Sequence, residues 1–433
     1  MKELKQSQLK WLGVRFLDPL GKVFEYEGRY IRAIYPNKLN FIESLFSSRI
    51  LESLEAKGLT CKFSKVSDIS VDGFDLLIEQ LAAPFELRIE NWSVDTIKEA
   101  ALNYLSINLA LLEFNLGLND GHAANFALFD NSTPKFFDLG SIIEIKNPHH
   151  ALDEFCRYFM HPLILASKGK NLGRLTRLLC QNGGIGFKES HDLLDFKFEY
   201  PSKRKETLLF LQSIIGKLSL DTPDSTLWKD YRNITDLKTE ATKVIEGETQ
   251  VPRNTTILDL LRKTKPHSVT DIGCNDGFFS TVAAMLGAKV LALDTDEGAI
   301  RKLIFNLKNN SCDLKITAGI KPAEIVNLIG KNKSDLVFAL ALSHHLFFTC
   351  KFNFDYIAKC FSSYSKEFLI TEFMPNGMGG AAGPNPNPLP PHYNLEEYIC
   401  CLSEYFEKVD IIDYKMPEGN SPRTLILCSK KKK

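Results

Sequence analysis

Long apolar runs are missing from this 433-residue chain: none approaches the roughly 18 residues that a membrane span needs. The N-terminal run MKELKQSQLKWLGVRF mixes charged and apolar residues with no continuous apolar core, so a secretory signal is not expected. Net charge is missing as well, since 53 Lys+Arg balance 53 Asp+Glu. Residues 1–250 carry 31 basic and 34 acidic side chains, and 251–433 carry 22 and 19, so neither segment has the basic excess of a nucleic-acid binder. The ten cysteines form no CxxC pair and no cluster with histidine at zinc spacing, which argues against a structural metal site. Scattered single thiols without a signal point to a reducing cytoplasm. The adjacent Cys400 and Cys401 are expected on a helix, packed as small hydrophobes. Disorder is excluded by a hydrophobic fraction of 44%, and the length is too great for one ordinary core.

What is present divides in two. From about residue 268, strand-like runs alternate with helical ones: SVTDI (268–272), KVLALD (289–294), DLKIT (313–317), DLVFALA (335–341), EFLITEF (367–373), KVDIID (408–413) and TLILCS (424–429). Helices are expected near 278–286, 297–308, 322–329, 353–363 and 395–405. That alternation predicts a mainly parallel sheet of seven strands covered on both faces and closed at one edge by an antiparallel hairpin. Residues 1–200 read as α+β instead. Short strands are expected at 22–26, 29–35 and 74–80, a helix at 40–56, and a long amphipathic helix over 95–116, with Ile97, Ala100, Tyr104, Ile107, Leu111 and Phe114 on one stripe. Further helices are expected at 151–167, 171–181 and 205–217. The boundaries are set at 1–220, a junction at 221–250 and a second domain at 251–433.

The sharpest motif is VTDIGCNDGFFS (269–280). A β-branched strand ends in Asp271, and Gly273 and Gly277 bracket a tight turn into a helix whose free N–H groups face a ligand. An acid two residues before the first glycine would repel a pyrophosphate and suits a ligand with a positive end. This run resembles the first motif, D-x-G-C-N-x-G, of the class I S-adenosylmethionine-dependent methyltransferases, and the resemblance extends over roughly 260–430. It implies a seven-stranded Rossmann-like methyltransferase fold, with Gly273, Cys274, Asn275 and Gly277 lining the cofactor and Asp271 nearby. Asp294, closing the second strand, would take the ribose hydroxyls, as an acid does in nucleotide folds. The adenine contact of that family has Thr317 as its one near polar candidate. At the end of the fourth strand, His344 and His345 in ALSHHLFF are candidates for the base that a hydroxyl acceptor needs, or else orient the loop. Glu372, closing the fifth strand, either binds substrate or caps the next loop. The long run at 376–393 reads as a flap over the acceptor.

Nearer the N-terminus, GLNDGHAANFALFDNSTPKFFDLGS (117–141) spaces Asp120, Asn125 and Asp138 as protein kinases space a catalytic base and two metal-binding residues. The segment resembles the kinase-like phosphotransferase fold. By that likeness Asp120 is the base, and Asn125 with Asp138 holds Mg²⁺ for ATP. The phosphate-gripping lysine is replaced by Arg32, the glycine-rich loop is reduced to Gly21, and Glu43, Glu52 or Glu55 would be the helix partner. A kinase-like segment followed by D-x-G-C-N resembles the bacterial nodulation-type methyltransferases. The combination, in reverse order, also resembles the methyltransferase–kinases that terminate bacterial polysaccharide chains. The likeness implies a methyltransferase acting on a small-molecule or carbohydrate-type acceptor, with a degenerate kinase-like domain that docks it. A bifunctional methyltransferase–kinase and a cofactor-binding pseudoenzyme scaffold are the alternatives. Neither a membrane span nor a nucleic-acid partner is expected.

Overall fold

The computed structural model describes residues 2–12, 18–169, 171–220, 236–249, 251–309, 314–322, 332–378, 388–414 and 422–432. Its largest sheet uses β6 (Ser268–Ile272), β7 (Lys289–Asp294), β8 (Ile316–Ile320), β9 (Ser334–Ala339), β10 (Ser365–Phe373), β11 (Phe406–Ile412) and β12 (Thr424–Lys431), in the order β8-β7-β6-β9-β10-β12-β11. The first five strands are parallel, and β12 runs antiparallel between β10 and β11. Val269, Val290, Leu291, Ala292, Leu336, Val337 and Phe338 are fully buried, as strands covered on both faces must be. One face carries helix α8 (Phe278–Met285) and helix α9 (Glu297–Asn309), and the other carries α11 (Phe354–Tyr364) and α12 (Leu395–Ser403).

Pairing with β7 sets the third strand three residues later than the sequence pattern suggests, from Val290 opposite Ile316 to Asp294 opposite Ile320. A short helix, α10 (Ser343–Phe348), holds the two histidines and has no counterpart in the sequence pattern. Residues 237–245, which the sequence pattern places in the junction, form α6 (Leu237–Ile245), capped by Asp236. Leu237, Ala241 and Val244 sit in the same cluster as Ile257 and Leu261 of α7 (Pro252–Thr264) and Val282 of α8, on which α6 packs directly. The helix expected near 322–329 and the centre of the expected flap, 379–387, lie outside the described residues. Cys400 and Cys401 do lie on a helix, but Cys400 is exposed rather than packed.

The N-terminal unit builds on a five-stranded antiparallel sheet: β1 (Trp11–Leu12), β2 (Gly21–Tyr26), β3 (Arg29–Ile34), β4 (Phe63–Lys65) and β5 (Leu77–Gln80), in the order β1-β2-β3-β5-β4. The single helix expected at 40–56 is two, α1 (Leu39–Ser47) and α2 (Ile50–Ala56), because Arg49 between them has φ 59°. Helix α3 (Val94–Leu112) starts at the Ser93 side chain, which accepts from the Thr96 amide at 3.2 Å. Its predicted stripe is buried from Ile97 to Leu111, but the helix ends before Phe114, which is 42% exposed. Two small antiparallel pairs follow, 126–128 with 134–136 and 116–118 with 142–144, then α4 (Gly173–Gln181) and α5 (Arg204–Lys217).

Candidate active site

At the C-terminal ends of β6 and β7 the chain turns tightly. Gly273 (φ 73°), Asn275 (φ 51°) and Gly277 (φ 80°) all lie in the left-handed region, which is inexpensive for glycine and tolerable for asparagine. A Cβ on Gly277 would also come within 2.4 Å of Leu303, so α9 packs directly on the turn. The amides of Gly273 and Cys274 both donate to the Leu293 carbonyl, at 2.8 and 3.1 Å. Asp294 ties the two loops together: Oδ2 accepts from the Asn275 amide at 2.8 Å and Oδ1 from the Asp296 amide at 2.9 Å. Burial raises the Asp294 pKa, opposed by those amide bonds. Asp271 is buried, and its Oδ2 accepts from Ser280 Oγ at 2.7 Å. Burial pushes the Cys274 thiol well above its ordinary value, so it lines the turn as a neutral group rather than a nucleophile.

Thr317 is not at this rim. It is fully buried near the start of β8 opposite Leu291, so the sequence-based adenine candidate falls inside the sheet. The residue that follows β8 is Lys321, 3% exposed, whose amide donates to the Asp294 carbonyl at 2.8 Å. Burial pushes its ammonium down to about 8.

At the ends of β9 and β10 lies a charge cluster that is not visible in the sequence. Glu372 is wholly buried and accepts a two-point bond from Arg253, Nε to Oε1 at 2.7 Å and Nη2 to Oε2 at 2.8 Å, with Arg423 Nη1 3.6 Å from Oε2. Burial alone would raise the Glu372 pKa, but the two guanidinium groups overcome it and hold it below the usual carboxylate value. Glu372 is therefore an anchor for the arginines and a poor base. His344 is buried, with Nδ1 lacking a hydrogen-bond partner among the described residues. Burial and then the adjoining His345 ring, 4.0 Å away between centroids, push it down to about 3. Such an imidazole stays neutral but takes up a proton weakly. His345 is lowered by burial too. Arg253 and Arg423 lie 119 and 51 residues from Glu372, and nothing local in the sequence marks them.

In the N-terminal unit, the Ser141 hydroxyl accepts from the amides of Asn119 and Asp120, each at 3.2 Å, and the Phe137 amide donates to the Asn125 carbonyl at 3.0 Å. The loops holding Asp120, Asn125 and Asp138 are thus stitched together. Asn125 Nδ2 is buried without a partner among the described residues. Arg32 does reach this cluster, where it donates to Asp138 Oδ1 at 2.9 Å and to Asp18. Its partners are therefore Asp138 and Asp18, and none of the three glutamates expected from sequence; Glu43 and Glu52 instead pair at the surface with Lys65 and Arg49. A Cβ on Gly140 would come within 2.7 Å of Arg32 Nη1, so a side chain there would press on the pair. Among the described residues, no group of three or more His, Cys, Asp or Glu side chains is arranged to hold a metal ion.

A seven-stranded sheet with the last strand inserted antiparallel, and a glycine turn facing an acid at the second strand, define a class I methyltransferase fold. Residues 255–348 match the family model for ribosomal protein L11 methyltransferase. The chain is 26% identical over 380 residues to nodulation protein NoeA of Rhizobium meliloti (strain 1021), covering 76% of this chain and 78% of that protein. Among solved structures it resembles the bifunctional kinase–methyltransferase WbdD, at 18% identity and TM-score 0.35, over 47% of this chain and 46% of that one. It also resembles magnesium protoporphyrin IX methyltransferase from Synechocystis PCC 6803, at 16% identity and TM-score 0.31, over 47% of this chain and 97% of that one. The chain is an S-adenosylmethionine-dependent methyltransferase. No helix among the described residues is long and apolar enough to cross a membrane.

Proposed function

We propose that the chain transfers a methyl group from S-adenosylmethionine to a small-molecule or carbohydrate-type acceptor, and that its N-terminal unit is a kinase-like domain that docks the acceptor. The observation that carries the cofactor reading is the turn 273–277, gripped by Asp294 through the Asn275 amide. Gly273, Cys274, Asn275 and Gly277 would line the cofactor, Asp294 would accept from the ribose hydroxyls, and Asp271 would sit by the positive end. These donors fit: the turn offers backbone and acids and no basic side chain, which suits a cation and not a pyrophosphate. The cofactor supplies an electrophilic methyl on a sulfonium, so the chain's work is to align the acceptor in line with it. His345, at the rim and less buried than His344, is the stronger candidate to take a hydroxyl proton. His344 packs the loop, and the Arg253–Glu372–Arg423 cluster holds the floor under the acceptor.

The stitched Asp120, Asn125 and Asp138 loops favour a second reading, in which the N-terminal unit also binds ATP with Mg²⁺ and transfers phosphate. Arg32 opposes it by engaging Asp138, the residue that would hold the metal. The neutral overall charge supports a non-nucleic-acid acceptor. The nine cysteines among the described residues are free thiols, which supports a cytoplasmic protein. The test is thermal melting of the full chain with S-adenosylhomocysteine. A ligand that binds only the native state raises stability by about 2.7 kcal/mol at a hundred times its Kd. Unchanged melting at millimolar ligand would remove the cofactor reading.

A further inference from the structure

Helix α9 starts directly after the loop that carries Asp294. Its N-terminus is held by Asp296, whose Oδ1 accepts from the Gly298 amide at 2.8 Å and whose own amide donates to Asp294. The side chain of the next residue, Glu297, points away from the methyltransferase sheet. Its carboxylate is 9% exposed and enters the N-terminal unit, where Oε2 accepts from Arg177 Nη1 of α4 at 2.5 Å. Oε1 accepts from the Val94 amide, at the N-terminus of α3, at 3.2 Å. A Cβ on Gly173 would come within 2.4 Å of Oε2, so the socket is shaped around the carboxylate. One helix N-terminal amide and one guanidinium thus receive a single buried acid, three residues beyond Asp294, with Gly173 at the start of α4 beside it.

We infer that Arg177 is a positioning residue for cofactor binding: through Glu297 it fixes the start of α9, and with it the Asp294–Asp296 loop that faces the Gly273 turn. The inference rests on the cofactor reading above. The grip is stiff because a buried carboxylate cannot drift from that guanidinium without losing both its charge partner and its solvation. Two other ion pairs join α9 to α3, Arg301 with Asp95 and Lys308 with Glu99. The Lys308 pair lies at the far end of α9, and both of its side chains are about a third exposed, at 32% and 31%. It supplies a control for general loosening of the contact.

The experiment is calorimetric titration of S-adenosylhomocysteine into the full chain at neutral pH, with folding of each variant checked by circular dichroism and urea denaturation. Arg177→Ala is expected to weaken binding about tenfold, and Arg177→Lys, which keeps the charge, to weaken it less. Adding Glu297→Gln to Arg177→Ala should recover some of the loss, because no unpaired charge then remains in the socket. Lys308→Ala should bind as the wild type does. Wild-type affinity in a folded Arg177→Ala overturns the inference, as does an equal loss in Lys308→Ala. A wild-type chain that binds no S-adenosylhomocysteine overturns the cofactor reading and the positioning role together.

Discussion

The N-terminal unit and the methyltransferase each bury a three-membered ionic cluster, and the clusters are charge inverses. In the N-terminal unit a single arginine, Arg32, stands between two carboxylates, Asp18 and Asp138; in the methyltransferase a single carboxylate, Glu372, stands beneath two arginines. The buried member differs accordingly. The Arg32 side chain is 5% exposed and its acids are about a quarter exposed, whereas the Glu372 side chain is 0% exposed and both arginines are 14% exposed. An acid that water can still reach keeps other options, including a metal. A carboxylate sealed under two guanidinium groups has none. The Arg32 cluster therefore stays open to water on its acid side, whereas the Glu372 cluster is fixed framework.

The largest effect expected on ligand binding is at the cofactor turn. Gly273→Val forces a β-branched residue to φ 73°, and the added atoms meet Leu342, already 3.4 Å from a Cβ at that position. Binding of S-adenosylhomocysteine should fall by roughly a hundredfold or more, equal to about 2.7 kcal/mol, as read by titration calorimetry. Next comes Glu372→Ala, which leaves two largely buried guanidinium groups without their acid and should cost about 3–5 kcal/mol in urea denaturation. Arg32→Met tests the inverse arrangement. Water can solvate Asp18 and Asp138, so the cost should be smaller, about 1–2 kcal/mol; equal costs in the two variants would erase the distinction drawn between the clusters.

A pH measurement sharpens the contrast within the methyltransferase. His344 has its pKa pushed from 6.5 to about 3. Above pH 6.5 both folded and unfolded chains hold it neutral, and between there and about pH 3 the unfolded chain binds the extra proton. Its contribution to stability is thus intact above the unfolded value and is lost as pH falls toward the folded one. His344→Gln should flatten the acid limb of the stability curve over that window. The smallest effect is expected in the N-terminal unit: ATP with Mg²⁺ should raise the melting temperature of the full chain only slightly, and Asp138→Ala should remove that rise. Phosphate transfer to a sugar, lost in Asp120→Ala, would instead favour the bifunctional enzyme.

What can be read from sequence follows from local pattern. Alternating apolar strands and the run DIGCNDG are contiguous, so the glycine turn and Asp294 are visible without coordinates. The third strand is misplaced by pattern because its apolar run, unlike that of β7, carries no clear boundary, and only pairing with β7 fixes where it starts. Thr317 fails as a rim residue for the same reason. The Arg253–Glu372 pair spans 119 residues and Arg177–Glu297 spans 120, distances over which no spacing rule operates. Helix α6 passes for a junction because polar residues surround Leu237, Ala241 and Val244, and its burial emerges only once α7 and α8 lie against it.

The outer strand of the large sheet, β8, is covered by the N-terminal unit. The Ala318 amide donates to Ser132 Oγ at 2.7 Å, the Ile320 carbonyl accepts from Asn91 Nδ2 at 3.0 Å, and Leu87 lies against Gly319. Ser132 and its neighbour Asn131 hold φ 56° and 57°, a conformation costing a serine about 1–2 kcal/mol and an asparagine less. A bare parallel edge is a template for pairing with other chains. During synthesis the N-terminal unit leaves the ribosome first, at roughly 5–20 residues per second. The cover is thus made before the edge it protects, and β8 emerges beside a folded partner rather than into a crowd of nascent strands. A methyltransferase cut away at residue 250 would lose that order of events, and should collect as aggregate before any question of its chemistry arises.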